Sequence, residues 1–370
     1  MPLRYILALV AAGVVYGILQ PGRLTYAFGE TTLYVFLPPL LFEAAWNLNY
    51  RAIRRQWLAI ATLVGPGVIA TALIIAGALT IVRVPFIVAL LTGAILSATD
   101  PIAVVAIFRR LKVPRTLATI VECESLFNDA VAVVLYRAVL LVIADGIHPE
   151  AIGRVAVSSL AGAAGGVALG IVFAFAVARL LRRRAGDVLQ ILATLLCAYG
   201  SYFLAEYLHL SSIFAAITCG IALRYFERSW ITLTIAEEVE RFWDIAALVA
   251  NTLVFFLVGA ALHIGIVGQN PLFVIMTIVG LVLSRYVVGG LLLPAGFPRE
   301  WLDVVRVAGL RSALPLALAI ALPPSIPYRA SIIGATFAAA LATLAFSATV
   351  VPAAVSRAGR ERRLKRLALP

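Results

Sequence analysis

The run Glu122-Cys123-Glu124-Ser125-Leu126-Phe127-Asn128-Asp129 places acids, an amide and a hydroxyl inside a largely apolar stretch, Leu117–Ile143. A second acid at similar depth lies upstream in Thr99-Asp100-Pro101. An ionised carboxylate in hydrocarbon is costly and normally faces a bundle interior or an aqueous cavity, so such acids mark candidate functional sites. At about 3.6 residues per helical turn, Ser125 and Asp129 share one face, and Glu124 and Asn128 share the neighbouring stripe. Ser125 and Asp129 offer a hydroxyl and a carboxylate, hard oxygen ligands suited to a small alkali cation. Glu124 and Asn128 are spaced to hydrogen-bond one another, with a basic partner needed to neutralise the glutamate. Arg285 and Arg311, both inside apolar stretches, are the candidates. Glu43 is a further acid within an apolar stretch, as a cation ligand, a gate or a side chain snorkelling to the interface.

The elements that position these groups must be membrane helices. The 370 residues are 63% hydrophobic and 13% charged, with a mean hydropathy of +1.03, which excludes an ordinary soluble domain. Stretches able to cross about 30 Å of hydrocarbon recur from end to end. About twelve are predicted, at Leu3–Gln20, Thr31–Leu48, Trp57–Val82, Pro85–Phe108, Leu117–Ile143, Ile152–Leu181, Val188–Leu208, Ser211–Leu223, Ile235–Ile264, Pro271–Pro294, Trp301–Leu322 and Arg329–Val355.

The net charge of +12 does not point to nucleic acid, because the basic residues form short clusters between apolar stretches. Placing the N-terminus in the cytoplasm puts the clusters at Arg51/Arg54/Arg55, Arg109/Arg110/Lys112/Arg115, Arg179/Arg182/Arg183/Arg184, Arg224/Arg228 and Arg357 to Arg366 inside. The opposite loops, with Arg23, Arg83, Asp145–Glu150 and Gly265–Asn270, are poor in charge. Both termini are therefore expected in the cytoplasm of a multi-pass cell-membrane protein, with the basic tail 356–370 able to rest on anionic lipid. Met1-Pro2-Leu3-Arg4 runs into a span with no cleavage motif, which predicts a retained helix. Cys123, Cys197 and Cys219 read as small buried residues, and the three histidines lack metal-ligand spacing.

Prolines mark the interruptions. Pro101 follows Asp100 in the fourth span and Pro315 falls in the eleventh, and proline frees backbone carbonyls that can face an ion. Taking 152–184 as a linker helix, residues 1–143 and 188–355 form two inverted repeats, each with its interrupted helix next to last. Such paired interruptions are the mark of a secondary transporter's substrate site.

Several segments together resemble the sodium/proton exchanger branch of the monovalent cation:proton antiporters, prokaryotic members included. They are "LPPLLFEAAWNL", "TDPIAVVAIF", "ESLFNDAVAVVLY", "FWDIAALVANTLVFFLVGAAL" and "GLRSALPLALAIALP", and the likeness runs from the first span to the last. The resemblance implies a homodimer of inverted-repeat protomers, each with a dimerisation domain and a core domain that moves like an elevator. It implies a crossing-helix site of Thr99, Asp100, Ser125 and Asp129, with Glu43 as a further acid, and sodium held by Asp129, Ser125 and Thr99. It also implies a structural network of Glu124, Asn128, Arg285 and Arg311, with Arg285 pairing with Glu124. Against the thirteen helices common in the family, the resemblance implies a first span that corresponds to the family's second helix and a last span not followed by the long regulatory tail of animal exchangers; Cys123 stands where the family usually has glycine, and Ser312 and Pro315 depart from its common glycine and serine.

The expected activity is sodium (or lithium) exchange for protons, with both competing at Asp129 in a partly dry cavity. Asn128 stands where electrogenic relatives carry a second aspartate, which implies electroneutral one-for-one exchange and a part in pH homeostasis. No cofactor and no enzymatic activity are expected. Potassium/proton exchange is the alternative within the family. An intramembrane aspartyl protease is the alternative from another class, but Phe127-Asn128-Asp129-Ala130 lacks the glycine-containing motif of those enzymes. A passive channel is distinguished by ohmic current.

Overall fold

The computed structural model describes residues 3–20, 30–99, 102–111, 113–146, 148–181, 187–229, 236–260, 268–293, 297–309 and 313–367. Those residues are helical with short connections, and the chain is an all-α polytopic membrane protein. In order the helices are α1 (Leu3–Leu19), α2 (Glu30–Asn47), α3 (Tyr50–Ile81), α4 (Phe86–Ser97), α5 (Ile102–Leu111), α6 (Arg115–Asp145) and α7 (Pro149–Leu181). They continue as α8 (Asp187–Leu195), α9 (Ser201–Tyr207), α10 (Ser212–Ser229), α11 (Ala236–Ala260), α12 (Pro271–Val287), α13 (Arg299–Val307), α14 (Ala313–Ile320) and α15 (Arg329–Leu367). A π-helical turn, Leu196–Gly200, joins α8 to α9, and another, Val288–Leu292, extends α12.

Helix occupies each of the twelve predicted apolar stretches. Among the described residues five helical segments are long and apolar enough to cross a bilayer alone: Tyr50–Ile81, Arg115–Asp145, Pro149–Leu181, Val188–Tyr207 and Pro271–Leu292. The α3 helix carries a kink at Gln56, with φ −115° and ψ 19°. The kink separates a short turn bearing Arg51, Arg54 and Arg55 from the apolar span, whose predicted start at Trp57 directly follows it.

The chain forms two compact units. Each draws on both sequence halves, so this partition differs from the repeat halves and from the linker helix at 152–184. The first comprises Met1–Gly29, Arg51–Val139 and Phe255–Pro370. Lipid is as apolar as leucine, so helices in a membrane associate largely through close approach at small residues. A Cβ on Gly93 of α4 would lie 2.3 Å from the Ala72 carbonyl oxygen of α3, and one on Gly280 of α12 would lie 2.9 Å from Ile75 Cα. The α1 and α11 backbones meet in the same way at Gly13 and Gly259, where a Cβ on either would fall 2.1 Å from a backbone oxygen of the other helix.

The second unit comprises Glu30–Tyr50 and Leu140–Val254. There α7 lies on α10 through Gly166 and Gly170, and Trp243 is fully buried, its Nε1 donating to Thr194 Oγ1 at 3.0 Å. Arg224, expected only as a topology marker, sits over the Trp46 ring at 4.8 Å and pairs with Glu227 and Glu240. All three cysteines are buried and unbridged.

Candidate functional site

The site is built where a continuous helix meets an interrupted one. The first interruption follows Ser97: Ala98 takes φ −63° and ψ 143°, an extended conformation, and helix resumes at Ile102. Proline at 101 disfavours helix at the residue before it and cannot donate an intrahelical hydrogen bond, so the sequence itself breaks the helix here. A residue in mid-helix spends its amide and carbonyl on its own helix, whereas Thr99 has both available for neighbours.

Those neighbours are on α6. The Thr99 amide donates to Asp129 Oδ1 at 3.2 Å, and the Ser125 hydroxyl donates to the Thr99 carbonyl oxygen at 2.6 Å. Ser125 Oγ also lies 3.2 Å from Thr99 Oγ1, the longer of its two contacts, since its single proton is directed to the carbonyl. The Asn128 amide donates to Thr99 Oγ1 at 3.3 Å. Thr99, Ser125, Asn128 and Glu124 are each less than 5% exposed, whereas Asp129 is half-buried. Three polar residues of α6, Ser125, Asn128 and Asp129, thus converge on the non-helical Thr99.

The predicted division of the α6 polar face changes in one respect. Glu124 and Asn128 share a stripe but do not bond to one another. Asn128 is taken by Thr99, and Glu124 Oε1 is 2.6 Å from Arg285 Nη1 on α12. A buried carboxylate needs a compensating charge, and a guanidinium supplies it through a stronger, charge-assisted bond than an amide can. Among the described residues Glu124 Oε2, Asn128 Oδ1 and Arg285 Nε are buried without a hydrogen-bond partner.

Asp100 and Arg311 lie outside the described residues, as do Pro101 and Ser312. Glu43 is on α2, in the second unit, half-buried, where Asn47 Nδ2 donates to its Oε1 at 2.7 Å. The structure therefore brings together Thr99, Ser125, Asn128 and Asp129, and joins Arg285 to Glu124 on the same helix.

The second interruption lies between α13, which ends at Val307, and α14, which begins at Ala313. Pro315 follows the break rather than causing it. In the first turn of α14 its missing N–H would have had no intrahelical partner in any case. Two side chains that sequence reasoning missed hold the far end of α14. Tyr136 donates its hydroxyl to the Leu318 carbonyl at 3.3 Å, and Arg329 donates to the carbonyls of Leu322 and Ile320 at 2.8 and 2.9 Å. Both satisfy carbonyls at or just beyond a helix end, where a cation also opposes the helix dipole. Tyr136 was legible in principle, since it lies two turns beyond Asp129 on the same face of α6. Arg329 carried no comparable signal.

Comparison with known proteins adds to this geometry. Residues 1–357 match the family described as "Sodium/hydrogen exchanger, transmembrane". The chain is 30% identical over 368 residues to the Na(+)/H(+) antiporter ApNhaP of Aphanothece halophytica, covering 97% of this chain and 70% of that one. It is 31% identical to the low-affinity Na(+)/H(+) antiporter NhaS1 of Synechocystis, covering 92% of this chain and 67% of the relative. Among solved structures, the sodium proton antiporter MjNhaP1 of Methanocaldococcus jannaschii shares the fold with a TM-score of 0.81, at 20% identity and over 93% of this chain and 92% of that one.

Proposed function

This chain belongs to the sodium/hydrogen exchanger family, and on that premise we propose that it exchanges a monovalent cation, sodium or lithium, for protons across a cell membrane. The reading is supported by the names of its relatives. Within the molecule it rests on one observation, the meeting of Asp129, Ser125 and the non-helical Thr99 at the break after α4. Thr99, Ser125 and Asp129 bind the cation, with Asp100 beside them in the chain and Glu43 as a further acid. Asp129 is the exchanged group, because a protonated carboxyl offers a cation no charge and a bound cation favours the ionised form.

Alternating access follows from the cost of moving the empty site. An unoccupied, ionised Asp129 would carry net charge through low dielectric, so the two facing states interconvert only when it holds a proton or a cation. A core that moves like an elevator within a homodimer, with both termini cytoplasmic, is the form this exchange takes. Asn128 keeps the site at one exchangeable charge, which makes the exchange electroneutral, one for one. Glu124, Asn128, Arg285 and Arg311 are the supporting network.

The experiment is reconstitution into proteoliposomes loaded with a pH-sensitive dye and challenged in turn with sodium, lithium and potassium. Sodium and lithium are expected to drive proton movement. A response to potassium alone assigns the chain to potassium/proton exchange, and none to any cation rejects exchange altogether.

A further inference from the structure

In the first unit, two arginines rest on bare backbone where a side chain would otherwise stand. Arg285 of α12 lies against Gly309, in the second interruption: a Cβ there would fall 1.6 Å from Arg285 Nη2, 2.0 Å from Cζ and 2.1 Å from Nε. In return Arg306 of α13 lies against the π-turn of α12. A Cβ on Gly289 would be 2.9 Å from its Cγ, and one on Gly290 would be 3.2 Å from its Nη2. The Arg306 guanidinium sits 5.6 Å from the Tyr286 ring centroid, and its Nη1 donates to Asp303 at 3.1 Å.

A clash with the far end of a long side chain is ordinarily relieved by swinging that end away. Arg285 is not free to swing. Its Nη1 is 2.6 Å from Glu124 Oε1, and the two side chains are 12% and 3% exposed. Any side chain at position 309 would require the guanidinium to move by well over an ångström from the position in which it meets Glu124. Glu124 stands beside Ser125 and one turn before Asn128, so the space above Gly309 is felt at the polar face of α6.

We propose that Gly309 is a positioning residue for the exchange site: its lack of a side chain lets Arg285 reach Glu124, holding the second interruption and the polar face of α6 in one register. The positioning role rests on the exchange reading above, whereas the seating of Arg285 does not.

The test compares wild type, Gly309→Ala, the neutral pair Glu124→Gln/Arg285→Gln, and the triple variant. In detergent, Gly309→Ala is expected to lower the thermal midpoint by roughly 5 °C or more, yet by no more than about 1 °C in the neutral-pair background, because residues in contact are non-additive. An equal drop in both backgrounds, or none in either, overturns the seat. If Gly309→Ala alone does not fold, the triple variant is expected to fold, and loss of both overturns it as well. In proteoliposomes, folded Gly309→Ala is expected to raise the half-saturating sodium concentration about tenfold. An unchanged half-saturation beside a lowered midpoint overturns the positioning role. A wild-type protein that moves no protons overturns the exchange reading and the positioning role with it, while the midpoints still decide whether Gly309 seats Arg285.

Discussion

Thr99 gathers the site because its backbone has left the helix. Its amide meets Asp129, its carbonyl takes the Ser125 proton, and its hydroxyl takes the Asn128 amide. Removing the Ser125 hydroxyl leaves the Thr99 carbonyl without that donor and takes one oxygen from the site. A buried polar group left unsatisfied costs about 1–3 kcal/mol, so Ser125→Ala is expected to raise half-saturating sodium by about tenfold, read from the sodium dependence of initial rates. The Ser125–Asp129 face was legible in the sequence, because a continuous helix fixes which residues align. The role of the Thr99 backbone was not, since which partners an amide and a carbonyl find depends on where the chain leaves its helix. For the same reason the Glu124–Asn128 stripe was read correctly as a stripe and wrongly as a pair.

At the scale of elements, α6 and α12 are fastened by the buried Glu124–Arg285 pair, and helix backbones approach one another closely at glycines. Arg285→Ala takes from buried Glu124 the guanidinium that pairs with it, a loss of about 3–5 kcal/mol, whereas neutralising both partners is expected to cost far less. Chemical unfolding of Arg285→Ala and of Glu124→Gln/Arg285→Gln in detergent checks that order, and equal losses would reject it. Gly259→Val is expected to destabilise by about 1–3 kcal/mol or more, because its Cβ would meet the Val10 carbonyl oxygen and no flexible side chain can yield. Thermal unfolding of that variant decides. The first interruption was legible from Asp100-Pro101, since proline restricts its own backbone and its neighbour's, whereas Pro315 marked the segment of the second without causing its break. The choice of Arg285 for Glu124 came from the family resemblance rather than from spacing, because two arginines lay at comparable depth and periodicity within one helix cannot rank partners on another. Gly309 beneath that arginine is tertiary information with no local signature.

For the whole molecule, composition settled the class, because a chain that is 63% hydrophobic has no aqueous surface to fold behind. The compact units were not legible: each is assembled from segments far apart in the chain, and linear order does not reveal such interleaving. If a single exchangeable charge is carried each way, imposing a membrane potential of either sign on proteoliposomes leaves the initial exchange rate unchanged, and a rate that follows the potential shows unequal charge movement.

The central claim is that proton and cation occupy Asp129 in turn. The most direct measurement is the half-saturating sodium concentration for proton movement across a pH series, for wild type and Asp129→Asn in parallel. Acidification fills the carboxyl with protons, so wild-type half-saturation is expected to rise by up to about tenfold per pH unit at constant maximal rate, with Asp129→Asn inactive throughout. A half-saturation indifferent to pH, or exchange surviving in Asp129→Asn, contradicts the account.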